Sequence, residues 1–201
     1  MEFDALIIGG GVSGLQCALV LASAKNKAFA ANKKIGVIMH QRTSHLQSAL
    51  FNNVLGLPPQ TLGSDILVEG RQQLSSLYPA VSQIENEKVI SIDNYNESYK
   101  IVTNKGSYLS KIVVIALNYS KPLTIKGLDH YMEPHKKENP EKDRIQLKNK
   151  DFLIKKGLYC CGTIAGCRSQ FAIAAGSGAT VATDVLTLWN GHKHVKIHDK
   201  I

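Results

Sequence analysis

The sequence is poor in several residue classes, and each shortage excludes something. Aromatic side chains make up only 6% of its 201 residues, with a single Trp. They do not interleave with the basic residues, which argues against a stacking platform for nucleic acid. The four cysteines, Cys17, Cys160, Cys161 and Cys167, show no disulfide-framework spacing, so reduced thiols are expected. No apolar run approaches the length of a membrane span, and there is no repeat or low-complexity tract. The first apolar run starts almost at Met1, which leaves no room for a signal peptide and makes a cytoplasmic location the expectation. Acidic residues are outnumbered 16 to 24 by Lys and Arg, for a net charge of +8.

What is present is an ordinary globular composition, 44% hydrophobic and 20% charged, in a chain long enough for one domain with a real core. Phe3 to Ile8 is a continuous apolar run, the mark of a strand buried on both faces. Val12 to Ala24 then carries Leu15, Ala18, Leu19 and Ala22 on one helical stripe, and Ile35 to Met39 is a second buried strand. This is a βαβ unit, and a parallel sheet follows from it. Residues 49–60 read as a loop with buried anchors, and Ser64 to Leu77 as a helix capped by Ser64. Three short strands are expected near Lys88–Asn94, Ser98–Thr103 and Ser107–Ser110, the last two joined by the Asn104-Lys105-Gly106 turn. Lys111 to Ala116 reads as a separate strand returning to the main sheet. Residues 121–150 are lysine-rich and poorly patterned, Leu158 to Cys161 is the last core strand, and Gln170 to Trp189 a long helix crowded with Ala and Gly.

The glycines between the first strand and the first helix are spaced Gly9-x-Gly11-x-x-Gly14. Between a strand and a helix, that spacing is a dinucleotide fingerprint. The first glycine permits the tight turn, the second lets a pyrophosphate approach the backbone, and the third lets helix and strand pack closely. The helix N-terminus offers N–H donors and partial positive charge to phosphates. A second stretch, GLYCCGTIAGCRSQFAIAAGSGATVA at 157–182, ends a strand at Gly162 and starts a helix near Gln170 with almost no bulk. Small residues there admit another backbone or a flat ring, and the positive helix end suits the negative pyrimidine edge of a reduced flavin.

Together these stretches resemble the FAD-binding domain of the thioredoxin reductase family of flavoproteins. DALIIGGGVSGLQCALVLA is similar to the family's opening, NNVLGLP at 52–58 to its His-Asn-Tyr-Leu-Gly-Phe-Pro-type segment, and KIVVIALNYSKP at 111–122 to the strand ending in Ala-Thr-Gly. GLYCCGTIAGCRSQFAIAAGSG resembles the Gly-Asp turn and the helix that caps the isoalloxazine. The resemblance covers most of 3–120 and 157–190. It implies an α/β Rossmann-like FAD/NAD(P)-binding fold, with a central parallel sheet and a β-meander crossover. It implies one domain over 1–201, whose halves 1–122 and 151–190 are joined by a short basic linker, with 191–201 as a tail. It implies extended FAD, with pyrophosphate against Gly9, Gly11, Val12, Ser13 and Gly14. The ribose would lie near Met39 or His40, the middle of the cofactor near Ala116, Leu117, Gly162 and Thr163, and the isoalloxazine near Ser169, Gln170 and Phe171.

The departures from the family pattern are equally specific. The family inserts a complete NAD(P)H-binding domain after the position of Pro122. Here about thirty residues stand there, with no second glycine fingerprint and no Cys-x-x-Cys pair. The acid expected after the second strand is Met39 or His40, the Ala-Thr-Gly stretch is Ala116-Leu117-Asn118, and the Gly-Asp turn is Gly162-Thr163. Each such loss weakens binding by about 1–2 kcal/mol.

No residue stands out as acid, base or nucleophile, so the expected function is an FAD-dependent oxidoreductase whose chemistry is the cofactor's. The alternative is a non-catalytic nucleotide-binding, flavin-binding or interaction module with a partly degenerate site. Residues 121–156 hold ten Lys or Arg against six Asp or Glu, and the tail adds Lys193, Lys196 and Lys200 against Asp199. This surface reads either as plain solvated charge or as a docking face for an acidic electron-donor protein of ferredoxin-like or flavodoxin-like kind. A homodimer is the expected way to cover the face left bare by the missing domain. Adjacent Cys160 and Cys161 point to opposite faces of a strand, so small-hydrophobe roles are expected, with redox exchange as the alternative. His192, His194 and His198 lack thiol or acidic companions, so a mobile tail is expected rather than a metal site.

Overall fold

A computed structural model describes residues 1–40 and 45–197. Among the described residues, twelve strands and three α-helices occur in chain order: β1 (Glu2–Ile8), α1 (Val12–Ser23), β2 (Ile35–Met39), β3 (Leu50–Phe51), β4 (Thr61–Leu62), α2 (Gly63–Leu77), β5 (Ser82–Glu85), β6 (Val89–Tyr95), β7 (Ser98–Thr103), β8 (Ser107–Ile115), β9 (Met132–Pro134), β10 (Ile145–Leu147), β11 (Leu153–Lys155), β12 (Leu158–Cys160) and α3 (Phe171–Trp189).

The main sheet runs β11-β12-β8-β1-β2-β5. Its five middle-to-edge strands β12, β8, β1, β2 and β5 are parallel, and β11 is antiparallel to β12. β8 organises the sheet. One of its edges pairs with β1 along the whole length, Glu2 opposite Leu109 through Ile8 opposite Ile115. The other edge pairs first with β7, antiparallel, and then with β12, parallel. The sequence suggests two separate strands here because Ser110 and Lys111 interrupt the apolar pattern. They form one strand because the buried Ser110 hydroxyl donates to the Ile112 carbonyl at 2.6 Å, so the polar group is satisfied locally.

Side chains alternate between two cores. Ala5, Ile7, Val37, Met39, Val114 and Cys161 face α1, α2 and α3. Phe3, Leu6, Ile8, Ile38, Ile115 and Cys160 face the β6–β7 meander and the β9–β10 hairpin. Helices α1 and α3 touch closely: a Cβ at Gly178 would stand 2.1 Å from the Ser13 carbonyl oxygen. By length and composition α3 is apolar enough to cross a bilayer, yet it carries Asp184 and packs Val181, Ala182, Val185 and Leu186 into the helix-side core.

Four expectations change. Residues 49–60 are anchored inward only in part: Phe51 is half-buried against Phe171, whereas Leu50 and Leu55 are exposed, and β3 and β4 close this stretch into an arm. Ser64 does not cap α2. Leu62 holds the cap position and the Ser64 hydroxyl donates to Asp65 Oδ1. Residues 121–150 are a built element: Ile125, Leu128, Ile145 and Leu147 fill the second core, and β9 pairs antiparallel with β10. The tail folds back far enough to bury Val195 against the first core. His198 lies outside the described residues.

Candidate functional site

The carboxyl ends of the parallel strands are laced together one residue past each strand. Gly9 N donates to Ile38 O, Ala116 N to Ile8 O, and Cys161 N to Ile115 O, all at 2.9 Å. The chain leaves β1 toward α1 on one side and receives β8 on the other. This is a topological switch point, where open α/β sheets bind ligands. Gly9 turns here with φ of +124°, and a Cβ would stand 2.2 Å from the Ala116 carbonyl oxygen. A Cβ at Gly14 would stand 1.9 Å from the Gly9 carbonyl oxygen, so this glycine supports the turn from beneath.

Two cavities open at these strand ends. The first, of about 280 Å³, is lined by Gly11, Val12 and Ser13 at the start of α1, by Ala116 to Tyr119 after β8, by Gly162 and Thr163 after β12, and by Ser169, Gln170, Phe171 and Ala174 around the start of α3. Leu46, Ala49 and Phe51 complete its wall. The Phe51 and Phe171 rings meet edge-on, centroids 5.1 Å apart. Tyr119 is flanked by the His135 ring at 5.4 Å and the Arg144 guanidinium at 5.1 Å. The second cavity, of about 190 Å³, has an apolar floor of Ile8, Ile38, Val89, Leu123 and Ile125, and a polar rim that includes His40, Glu87 and Lys88.

Both helix ends at the first cavity carry donors. Gly11 is the N-cap of α1 and no side chain caps that helix, so its first-turn N–H groups face the cavity beside Val12 and Ser13. At α3 the Gln170 side chain accepts from Ile173 N at 2.9 Å. This ordinary cap takes one donor that a ligand would otherwise use, and leaves the Phe171 and Ala172 N–H groups. The Gly162 turn, with φ of +76°, is held by Gly162 N donating to the Ser177 hydroxyl at 2.8 Å.

Of the residues expected at the site, Gly9, Gly11, Val12, Ser13, His40, Ala116, Leu117, Gly162, Thr163, Ser169, Gln170 and Phe171 line one cavity or the other. Gly14 lies beneath the turn. Met39 is not brought to either cavity: strand alternation sends its side chain under Gly10, where a Cβ would meet Met39 Cγ at 2.4 Å. His40, next along, faces the second cavity. Sequence reading missed Phe51, Tyr119 and, apart from His40, the rim of the second cavity. Those residues come from segments far apart in the chain, and no motif links them.

Among the described residues lining the first cavity there is no Asp, Glu, His, Lys, Arg or Cys. Cys161 lies just behind it, where burial pushes its thiol up to about 12 despite a hydrogen bond with Ser13. Burial also raises the thiols of Cys17, Cys160 and Cys167, and all four cysteines are free. Protonated, buried thiols are poor nucleophiles.

The arrangement of strands and helices matches solved structures across nearly its whole extent. A thioredoxin reductase from Gloeobacter violaceus superposes with a TM-score of 0.74 at 14% identity, covering 100% of this chain and 98% of that one. The fold is the thioredoxin-reductase-like FAD/NAD(P)-binding Rossmann fold. A ferredoxin-flavin thioredoxin reductase from Clostridium acetobutylicum gives a TM-score of 0.69 at 16% identity, covering 96% and 99%. In sequence, a ferredoxin–NADP reductase from Streptococcus pneumoniae is 29% identical over 142 residues, 66% of this chain. The chain spans only 41% of that relative's length. No protein-family model matches the chain. Within the thioredoxin-reductase-like fold, both cavities lie at the carboxyl edge of the sheet, against the fingerprint glycines.

Proposed function

We propose that this chain is an FAD-binding flavoprotein and an oxidoreductase of the thioredoxin-reductase-like group. The observation that carries the reading is the convergence of two uncapped or partly capped helix starts, at Gly11–Ser13 and Phe171–Ala172, on one cavity. The donor chemistry fits the cofactor. Phosphates suit the first turn of α1, a flavin pyrimidine edge suits the α3 start, and the Phe51–Phe171 pair offers an apolar wall to a ring. The apolar second cavity with His40 on its rim suits the adenosine end. The flavin, when bound, supplies the redox chemistry. The protein binds and orients it and keeps charged side chains out of the first cavity.

In this reading electrons reach the flavin from a reduced protein, a free reductant or a substrate at its exposed face, and NAD(P)H is a poor donor to this domain by itself. The basic excess favours an acidic carrier protein, in line with the ferredoxin-linked names among the relatives. The exposed apolar residues Leu50, Leu55 and Ile173 near the site favour a homodimer. A cytoplasmic location goes with this reading. The second reading, a nucleotide-binding or interaction module without turnover, is favoured by the lack of ionisable groups other than Tyr119 among the described residues lining the first cavity.

The test is direct. Purified protein incubated with excess FAD and passed through gel filtration emerges yellow, and the flavin is bleached by a reduced ferredoxin-type protein faster than by NADPH. A colourless protein that gives no heat of FAD binding ends the reading. A yellow protein whose bound flavin accepts electrons from no donor protein leaves the binding module standing instead.

A further inference from the structure

The described residues lining the first cavity carry no charged side chain, so charge that draws in a reductant stands outside it. Two cations stand beside its mouth. Arg168 directly precedes the lining residues Ser169 and Gln170, and its carbonyl accepts from Gln170 N at 2.9 Å. Lys137, between β9 and β10, meets it there: the Lys137 carbonyl accepts from Arg168 Nη1 at 3.4 Å. Burial raises the neighbouring Cys167 thiol, and the Lys137 ammonium acts against that rise. We propose that Lys137 and Arg168 form the docking point for an acidic ferredoxin-type carrier, which they seat against the mouth of the first cavity. The proposal rests on the flavin reading above and gives its electron donor a place on the surface.

These two cations differ from their neighbours in being uncompensated. Lys121 is held by Asp143 at 2.6 Å, Lys136 by Glu133 at 2.7 Å and Lys142 by Glu138 at 3.4 Å. Arg144 donates to Ser120 Oγ at 2.6 Å and lies over the Tyr119 ring. Lys137 and Arg168 are exposed, and among the described residues neither forms an ion pair. Glu141, the hairpin acid without a cation, accepts from Asn139 Nδ2 at 3.3 Å at the exposed tip. A paired surface charge sends little field outward, whereas an unpaired one steers an oppositely charged partner. Neither cation lines the cavity, so a small anion held by them stops short of the bound ring. A protein anchored there can still lay its own redox centre over the mouth. Each reduced ferredoxin gives up one electron, so two encounters and two protons from water complete one reduction of the flavin.

The experiment is anaerobic stopped-flow reduction of the FAD-loaded full chain by a reduced ferredoxin of net negative charge, at low and high salt. The double variant Lys137→Gln, Arg168→Gln is expected to be reduced about tenfold more slowly at low salt and to match the wild type at high salt. The charge-keeping pair Lys137→Arg, Arg168→Lys is expected to keep the wild-type rate, as is Lys105→Gln on the remote turn between β7 and β8. FAD affinity and photoreduction, which needs no encounter, are expected to be the same throughout. If the double variant fails to fold, each single variant carries a loss of about threefold. Binding of the oxidised ferredoxin to the full chain, measured by calorimetry, needs no flavin and is expected to weaken about tenfold in the double variant.

A wild-type rate indifferent to salt, or a double variant that behaves like Lys105→Gln, overturns the docking point and leaves the flavin reading intact. An equal slowing with the dithionite anion makes this a small-anion site and also overturns the docking. A chain that takes up no FAD yet binds ferredoxin through these two residues overturns the flavin reading alone. Failure to bind either overturns both.

Discussion

The Gly162 N–H donates to the Ser177 hydroxyl at 2.8 Å, and that hydroxyl donates in turn to the Ala174 carbonyl at 2.7 Å. One buried serine on the second turn of α3 thus holds the turn that leaves β12. The helix start and the strand end that wall the first cavity are tied through it.

Ser177→Ala removes the acceptor and leaves the Gly162 N–H without it in a buried place. A loss of about 1–3 kcal/mol in folding stability is expected. Urea denaturation checks it. A weaker affinity for flavin should accompany it, because the Gly162–Thr163 turn lines the cavity.

Gly14 and Gly176 make a matched pair. Gly14→Ala forces a Cβ against the Gly9 carbonyl oxygen, a rigid backbone atom, and is expected to destabilise by about 3 kcal/mol or to prevent folding. Gly176→Ala meets nothing within 4 Å in the middle of an exposed helix face. It is expected to stabilise by about 0.5–1 kcal/mol. Thermal melts of the two variants should move in opposite directions.

Stability should fall in alkali. Burial pushes the Cys161 thiol and the Tyr99 hydroxyl up to about 12, and raises Cys17, Cys160 and Tyr159 as well. In each case the unfolded chain gives up its proton at lower pH than the folded one. The contribution is therefore intact below the ordinary thiol value and is lost as pH rises from about 9 toward about 12. Denaturant midpoints measured across that range should decline steadily. A flat profile would contradict the assigned burial.

Alkylation of the native protein should label Cys167 alone. It is the half-buried thiol of the four, while Cys17, Cys160 and Cys161 are enclosed. Mass spectrometry after maleimide treatment should show a single adduct, with the remaining thiols reacting only in denaturant.

The parts of this fold that were legible in sequence were those where one pattern sufficed. β1, α1 and β2 are marked by continuous apolar runs around a glycine turn, and α3 by its small-residue helix. What escaped was set by contacts across the chain. β5, of sequence Ser-Gln-Ile-Glu, is a polar edge strand that exists because β2 offers it a ladder. The apolar residues of 121–150 are scattered among lysines, and only the meander face of the sheet gathers Ile125, Leu128, Ile145 and Leu147 into one core. At the site, the glycines announced themselves by spacing. His40 was separable from Met39 only by strand direction, and Phe51 stands just before the NNVLGLP segment, outside the stretch whose pattern could be read.

The β9–β10 hairpin ends in an exposed tip. Its strands, anchored by buried Ile145 and Leu147, bring the chain out and back about 5 Å apart, and its tip from Lys136 to Asp143 lies almost wholly in solvent. A tip of this kind tolerates changes of length, since a residue added or lost between Lys136 and Asp143 disturbs neither the buried Ile145 and Leu147 nor the β9–β10 ladder.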